Sequence, residues 1–392
     1  MHKILTLNNI AAVGLQRLPQ DRYEVANNIA DPTAILLRSH NMHEMEIPES
    51  VAAVGRAGAG TNNIPIDALS ARGVPVFNTP GANANAVKEL AIAGLLLAAR
   101  NICDAREYVK GLTQTGDALN KAVEAGKKQF VGFELPGKTI GIIGLGAIGV
   151  EVANTALALG MNVIGFDPKI TVRSAWQLSA GVDHAETKEE LFQRADAVSL
   201  HVPLVDETKG LVSAECLALM HDGSVLINFA RGGIVDNAAA IAALDSGKLK
   251  SYVCDFPTPE LIAHPGVVAL PHLGASTAEA EENCAIMVAE NVKDYLDNGN
   301  IRFSVNFPEA RMPRSDAWRI TIANANVPNM VGQISTCLAA AGLNIENLLN
   351  KSRGDLAYTI VDVNGVVEEK TCVQLRSIDG VLTLRNLGKP VT

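Results

Sequence analysis

The sequence predicts an α/β protein with parallel sheets, followed by a smaller C-terminal unit. Up to about residue 95, short β-type runs alternate with helical or loop segments, as expected for an α/β unit. From roughly residue 100 to 285, six apolar runs alternate with helical stretches, which is typical of a doubly wound sheet. A Pro- and Arg-rich linker, FPEARMPRS, then leads into a βαββαβ pattern of about 75 residues, which predicts a ferredoxin-like fold.

Each run justifies one element. The N-terminal strand candidates are KILTL, TAILLRS, VAAVGRAG and VPVFNT. The six central candidates are TIGIIGLG, MNVIGFD, AVSLHVP, SVLINFA, SYVCDF and VVALPHL. Residues 278–298 predict a helix that ends at Gly299. In the last unit, WRITIAN, NIENLLNKSR, LAYTIVDVNG and VLTLRNL predict strands, while VPNMVGQISTCLAAAG and EEKTCVQLRSIDG predict helices.

Composition excludes several classes of protein. A chain of 392 residues with 48% hydrophobic residues is long enough for two or three domains. The net charge of −9 disfavours nucleic acid as a partner, although a few arginines could still bind a small anion. The six cysteines are scattered singly, which predicts a reducing, cytoplasmic setting and no metal site. Neither a secretory signal nor a membrane span is expected, and the apolar run 87–101 predicts a buried or subunit-contact helix.

A glycine-rich turn predicts a dinucleotide site. Gly144, Gly146 and Gly149 lie between the strand TIGII and a helix that opens near Ile148. These glycines permit a tight turn, close approach of a pyrophosphate to the backbone, and packing of helix on strand. Asp167 ends the next strand, where its carboxylate can bind an adenosine ribose and repel a 2′-phosphate. We therefore expect NAD rather than NADP.

Three residues predict hydride-transfer chemistry on a hydroxy acid. Arg231 in LINFARGGIVD follows a strand end, where its guanidinium group can hold a carboxylate; the alternative is a surface arginine in a Gly-rich turn. His272 in VVALPHLGAST can take the hydroxyl proton, although a lone histidine is often structural. Glu260 can orient that imidazole or be a solvated loop carboxylate. His201, also at a strand end, is an equally open candidate for lining the cofactor.

The motifs GLGAIG, ARGGIVD and PHLGAST together resemble the D-2-hydroxyacid dehydrogenase family, over roughly the whole chain. The resemblance implies a Rossmann-type NAD-binding domain at residues 99–275, inserted in a flavodoxin-like α/β substrate domain at residues 1–98 and 276–305. It also implies that residues 316–392 form an ACT domain, a small-molecule sensor. We also expect the protein to be a homodimer or a homotetramer.

The resemblance also implies roles for individual residues. The catalytic triad falls on Arg231, Glu260 and His272, and the residue that holds the nicotinamide carboxamide falls on Asp255. Phe256 follows Asp255 directly, whereas the family places one residue between them, but the five-residue step to Glu260 is kept. Further cofactor positions are His201, Val202, Pro203, Thr208, Phe229, Ala230 and Gly274.

Substrate and effector positions follow in the same way. The segments LLRSH and VGRAGAGTNNI resemble the family's substrate loops, which implies Arg38, Ser39 and Arg56 as ligands for carboxylate and phosphate. The segment FNTPGANANAVKELA places Asn78 and Asn83 near the substrate, beside Arg231 and His272. Asn326 and Asn344 match asparagines that bind serine in ACT domains, while Asn324 stands where some members have histidine. We therefore expect a small phosphorylated hydroxy acid as substrate and serine as a candidate effector. Glycerate, lactate or phosphoerythronate remain alternatives, as does a non-catalytic, NAD-sensing protein of the corepressor kind.

Overall fold

The computed structural model describes residues 1–390. By their contacts, Met1–Asn83 and Ala278–Thr392 form one compact unit, and Ala84–Thr277 forms the other. The second unit begins with a long helix that packs on the sheet of that unit. The domain limits 1–98, 99–275, 276–305 and 316–392 remain predictions.

The N-terminal part of the first unit is a five-stranded parallel sheet. Its strand order, β2-β1-β3-β4-β5, is flavodoxin-like and confirms the predicted fold class. The strands are β1 (His2–Leu7), β2 (Tyr23–Ala26), β3 (Ala34–Leu37), β4 (Ala53–Arg56) and β5 (Val76–Phe77), and the helices are α1 (Ala12–Leu15) and α2 (Ile66–Ala71). The sequence pattern missed β2, because its four residues, YEVA, include one exposed and two half-buried side chains.

The second unit is a seven-stranded parallel sheet in the order β12-β11-β10-β9-β6-β7-β8. Its strands are β6 (Thr139–Ile143), β7 (Asn162–Phe166), β8 (Val182–His184), β9 (Ala197–Leu200), β10 (Ser224–Asn228), β11 (Leu249–Cys254) and β12 (Val267–Ala269). All six predicted strands are present. The sequence pattern did not predict β8, because two of its three residues are polar and exposed. Because β6 lies between β7 and β9, the strand order reverses at β6. Ligands of such sheets bind at the carboxyl ends of the strands beside this point.

Helices cover this second sheet. They are α3 (Ala84–Arg100), α4 (Ile102–Lys110), α5 (Gly116–Gly126), α6 (Ala147–Ala158), α7 (Val172–Gln177), α8 (Lys188–Arg194), α9 (Ala214–Leu219), α10 (Asn237–Asp245) and α11 (Pro259–Ala263), with short 3-10 helices at Lys127–Phe130 and Gly232–Ile234. Helix α3 packs closely, because a Cβ atom on Gly94 would lie 3.0 Å from the ring of Phe229. The apolar run 87–101 is therefore largely a buried helix, and no helix of residues 1–390 has the length and apolarity needed to cross a bilayer.

The C-terminal part of the first unit starts with the 21-residue helix α12 (Ala278–Asn298). A four-stranded antiparallel sheet of order β14-β15-β13-β16 follows. Its elements are β13 (Trp318–Ala325), α13 (Met330–Ala340), β14 (Ile345–Arg353), β15 (Leu356–Val363), α14 (Glu369–Arg376) and β16 (Val381–Gly388). The predicted ferredoxin-like βαββαβ order is confirmed.

The C-terminal sheet binds the last turn of α12. The hydroxyl of Tyr358 donates to the Gly299 carbonyl at 2.8 Å, and Arg385 donates to two further carbonyls near the helix end. Arg319, which is fully buried, donates to the Asn298 carbonyl and forms a two-pronged ion pair with the buried Asp362. Side chains of the C-terminal sheet thus donate hydrogen bonds to carbonyls at the end of α12, of which the Tyr295 carbonyl also accepts from the Gly299 N–H.

Candidate active site

The glycine-rich turn lies at the carboxyl end of β6. Gly144 has φ of +90°, in the region that favours glycine, and a Cβ atom there would lie 2.7 Å from the His201 carbonyl oxygen. A Cβ atom on Gly149 would collide with the Gly144 carbonyl, so the close packing of α6 on the end of β6 requires glycine at position 149. Gly146 caps α6, and a Cβ atom there would meet no atom of residues 1–390 within 4 Å. The turn therefore leaves an open space at a helix N-terminus, which suits a phosphate.

Asp167 follows β7 and closes the same turn. Its Oδ2 accepts a 2.8 Å hydrogen bond from the Leu145 backbone N–H, and its Oδ1 accepts one of 2.8 Å from Lys169. The carboxylate is thus held beside the glycine-rich turn, where the sequence placed it. A negative charge fixed at this point favours a ribose diol over a phosphate.

A cleft of about 670 Å³ opens at the carboxyl edge of the sheet. It is lined by Gly232, Gly233, Val235, Asn237, Asp255, Phe256, Pro257, Thr258, Pro271 and His272. Asp255 is 1% exposed, and its Oδ2 accepts a 2.7 Å hydrogen bond from the Gly274 backbone N–H. Its Oδ1 has no hydrogen-bond partner among the described residues, although it is buried. Because buried polar atoms are normally hydrogen-bonded, this oxygen is suited to accept a hydrogen bond from a ligand, such as the N–H of a carboxamide.

His272 lies at the edge of this cleft with its side chain exposed. Its backbone φ is +57°, a left-handed conformation that is uncommon outside glycine and that occurs at functional sites. The imidazole meets the ring of Phe256 edge-on, with 5.2 Å between centroids. Phe256, the residue that departs from the family pattern, therefore packs against the candidate base.

Glu260 lies in the first turn of α11 and is exposed. Its own backbone N–H and the Thr258 hydroxyl hydrogen-bond to the carboxylate, which lowers the pKa of Glu260. The carboxylate thus stays ionised near neutral pH. In this structure the Glu260 carboxylate is hydrogen-bonded to Thr258. The pairing of Glu260 with His272 remains a prediction.

Arg231 follows β10 with an exposed side chain that donates to the Ala230 carbonyl at 2.7 Å. Asn228, which is fully buried at the end of β10, hydrogen-bonds to the loop that carries Arg231. Its Oδ1 accepts from the Ala230 N–H at 3.1 Å, and its Nδ2 donates to the Arg231 carbonyl at 2.9 Å. Sequence reasoning missed Asn228, whose signal was a polar residue at the end of the apolar run SVLIN.

His201 lies beside the glycine-rich turn, at the end of β9. Its Nε2 pairs with the Ser199 hydroxyl at 2.9 Å, and burial lowers the pKa of His201 to about 4. The imidazole is therefore neutral near pH 7. The other predicted cofactor-lining residues follow β9, β10 and β12 or begin α6: Ile148, Val202, Pro203, Thr208, Phe229, Ala230 and Gly274.

The predicted anion ligands lie in the first unit. Arg38 and Ser39 follow β3, and Arg56 ends β4, which pairs directly with β3. Because the strands are parallel, both arginines lie at the same edge of the sheet. The Arg38 guanidinium is 2.6 Å from the Glu281 carboxylate, and Asn63 donates to the Arg38 carbonyl at 3.2 Å.

The two predicted substrate asparagines differ in their surroundings. Asn78 follows β5, and its Nδ2 donates to the Ala59 carbonyl at 2.6 Å. The Oδ1 of Asn83 is buried and has no hydrogen-bond partner within residues 1–390. Of the two, Asn83 therefore retains a buried acceptor that is open to a ligand donor.

The two predicted effector asparagines lie far apart in one chain. Asn326 follows the end of β13, whereas Asn344 precedes the start of β14. Both strands run antiparallel to β15, and their first residues, Trp318 and Ile345, pair with the same residue of β15. The asparagines thus lie at opposite ends of the sheet, and one chain does not bring them together.

Comparison with known proteins agrees with this geometry. Residues 92–274 match the family described as D-isomer specific 2-hydroxyacid dehydrogenase, NAD binding domain. The chain is 35% identical to D-3-phosphoglycerate dehydrogenase of Haemophilus influenzae, over 94% of this chain and 89% of the relative. It is 33% identical to the Escherichia coli protein of the same name, over 94% and 90%.

A solved structure of NAD⁺-bound 3-phosphoglycerate dehydrogenase from Entamoeba histolytica superposes with a TM-score of 0.60 at 28% identity. The match covers 78% of this chain and 98% of that one. The residues of the second unit fit NAD, because Gly146 leaves room at the α6 N-terminus and Asp255 keeps a buried acceptor without a partner in the described chain. This chain belongs to the D-isomer specific 2-hydroxyacid dehydrogenase family, and it is an NAD-dependent enzyme.

Proposed function

We propose that the protein oxidises D-3-phosphoglycerate to 3-phosphohydroxypyruvate with NAD, the first step of serine biosynthesis. The observation that carries this proposal is the similarity to D-3-phosphoglycerate dehydrogenases along nearly the whole chain. The two arginines at the edge of the first sheet support it, because a phosphorylated acid needs cationic partners in a protein of net charge −9.

The side chains of the second unit support a mechanism. Arg231 holds the substrate carboxylate, because a guanidinium group binds such a group through two parallel hydrogen bonds. His272 takes the proton of the 2-hydroxyl group and returns it in the reverse reaction. Glu260, which is ionised at neutral pH, favours the protonated imidazole. When NAD is bound, it supplies the hydride acceptor, with Asp255 and the glycine-rich turn as its holders.

The C-terminal sheet is proposed as an ACT-type sensor that binds serine. Since Asn326 and Asn344 lie at opposite ends of the sheet, a site that uses both needs a second copy of the chain. A homodimer or homotetramer would provide it. All six cysteines are free thiols, which supports a reducing, cytoplasmic location.

A substrate panel tests the reaction. NAD reduction would be measured with D-3-phosphoglycerate, D-glycerate, D-lactate and phosphoerythronate, with the Arg38→Ala variant alongside. We expect the highest kcat/KM for phosphoglycerate, and we expect Arg38→Ala to reduce the preference for phosphoglycerate over glycerate. Higher kcat/KM for an unphosphorylated acid would overturn the substrate assignment, and no turnover of any acid would favour an NAD-sensing binding protein.

A further inference from the structure

Arg38, the proposed phosphate ligand, already has an anionic partner within the chain. Its Nη1 lies 2.6 Å from Oε1 of Glu281, in the first turn of α12. The two side chains are 37% and 45% exposed, so water reaches both of them. An ion pair of this kind contributes little free energy and exchanges readily with a competing anion.

Glu281 lies among the charges of the predicted anion site. Burial raises the pKa of the Cys284 thiol, one turn further along α12. The charged groups that act on this thiol are Arg38, Arg56 and Glu281. The carboxylate and both arginines of the predicted anion site therefore lie near enough to act on one thiol of α12.

A carboxylate in this place acts against a phosphate. It occupies a guanidinium that a phosphate would use, and its negative charge repels a dianion over the few ångströms that separate neighbouring ligands. A ligand without a phosphate group needs neither to displace Glu281 from Arg38 nor to overcome the repulsion between a phosphate and the Glu281 carboxylate. The ion pair therefore changes the affinity for phosphorylated ligands relative to unphosphorylated ones.

We propose that Glu281 is a specificity-determining residue, an internal competitor for Arg38 that lowers the affinity of the site for phosphate groups. The inference rests on the proposed function, in which Arg38 binds the substrate phosphate. Inorganic phosphate has no carboxylate or hydroxyl carbon to add further contacts. Competition by Glu281 weakens both ligands by a similar factor, but inorganic phosphate has no other contacts to offset this loss, while a substrate held also at its carboxylate still displaces the pair.

Glu281→Gln keeps the shape of the side chain and removes its charge, and Glu282→Gln is the matched control. Glu282 is the next residue of α12, is also exposed, and carries the same charge. At low, fixed ionic strength we expect Glu281→Gln to lower the KM for D-3-phosphoglycerate and the dissociation constant of inorganic phosphate by about 3- to 10-fold. Glu282→Gln should change either constant less than about 2-fold, since screening weakens more distant charges.

The Arg38→Ala background separates competition from a structural effect. If Glu281 acts mainly through Arg38, adding Glu281→Gln to Arg38→Ala should lower the phosphate dissociation constant clearly less than adding it to the parent protein, because only direct charge repulsion is then removed. An unchanged or raised constant in Glu281→Gln, or an equal drop in the Arg38→Ala background, would overturn the inference. Calorimetric titration with inorganic phosphate needs no turnover, so it decides this point even if phosphoglycerate proves not to be the substrate.

Discussion

The Asp255 carboxylate accepts a 2.7 Å hydrogen bond from the backbone N–H of Gly274. Asp255 directly follows β11, and Gly274 lies two residues beyond His272, so this bond ties the loop of the candidate base to the central sheet. The Oδ1 atom of the same carboxylate has no hydrogen-bond partner within residues 1–390. It can therefore accept a hydrogen bond from the nicotinamide carboxamide, as the family resemblance implies. We therefore predict that one side chain serves both the loop and the cofactor.

Substitutions of Asp255 should separate these two tasks. Asp255→Asn keeps an acceptor for Gly274 but replaces one oxygen by a donor, so we expect near-normal stability and an NAD dissociation constant raised about 10-fold or more. Asp255→Ala should also lower the free energy of unfolding by about 1–3 kcal/mol, because the Gly274 N–H loses its partner. Urea unfolding and NAD titration measure the two effects, and unchanged NAD affinity in Asp255→Asn would contradict the role.

His272 should carry the proton transfer. We expect His272→Ala to lower kcat by about 10²- to 10⁴-fold while NAD binding stays near normal, with the exposed His184→Ala as a control of normal rate. Glu260→Gln should shift the midpoint of the pH–rate profile to lower pH, because the imidazole loses a carboxylate that favours its charged form. Near-normal kcat in His272→Ala, under conditions where chemistry limits turnover, would mean that another group is the base.

Asp167 should select the cofactor. Replacing it by Asn removes the charge that repels a 2′-phosphate, so the ratio of NADP to NAD efficiency should rise by about 10-fold or more. Asp206→Asn, on an exposed loop, is the control for a general loss of charge. Equal ratios in Asp167→Asn and the parent enzyme would show that another residue discriminates.

Burial of His201 predicts a pH dependence of stability. The folded-state pKa of His201 is about 4, below the value near 6.5 of an unfolded histidine, so below pH 6.5 the unfolded chain binds a proton that the folded chain does not. Stability from this residue is complete above pH 6.5 and falls by about 1–3 kcal/mol as the pH drops to 4. His201→Gln should lose less stability over that range in denaturant titrations, and a parallel loss in both proteins would contradict this origin.

The buried pair of Arg319 and Asp362 predicts strong coupling. Arg319→Met should cost about 3–5 kcal/mol, since Asp362 keeps a buried charge without its counter-ion. The double variant Arg319→Met with Asp362→Leu should be more stable than the single one. Arg376→Met, which breaks an exposed pair with Glu369, should cost less than about 1 kcal/mol. Chemical denaturation measures all three, and a double variant no more stable than Arg319→Met alone would contradict this coupling.

Sequence patterns predicted the sheets and the NAD cofactor because strand periodicity and the glycine-rich turn are local signals. They missed β8, where Asp183 and His184 interrupt the apolar pattern of a short edge strand. Glu281 was also missed, because a glutamate in a polar first turn of a helix is ordinarily solvated, and its partner Arg38 is distant along the chain. Contacts of this kind depend on tertiary packing, which no local pattern reports.

The capping of α12 by Tyr358, Arg319 and Arg385 has a consequence for exchanging the C-terminal segment between relatives. The rings of Tyr295 and Phe307 also lie in one apolar cluster with Tyr358, so the segment completes the interior of the first unit. A transplanted segment must therefore bring its own arginines and tyrosine in register with the recipient helix. Without them, we expect the hybrid to expose aromatic surface and to leave helix-end carbonyls without these donors, which favours aggregation.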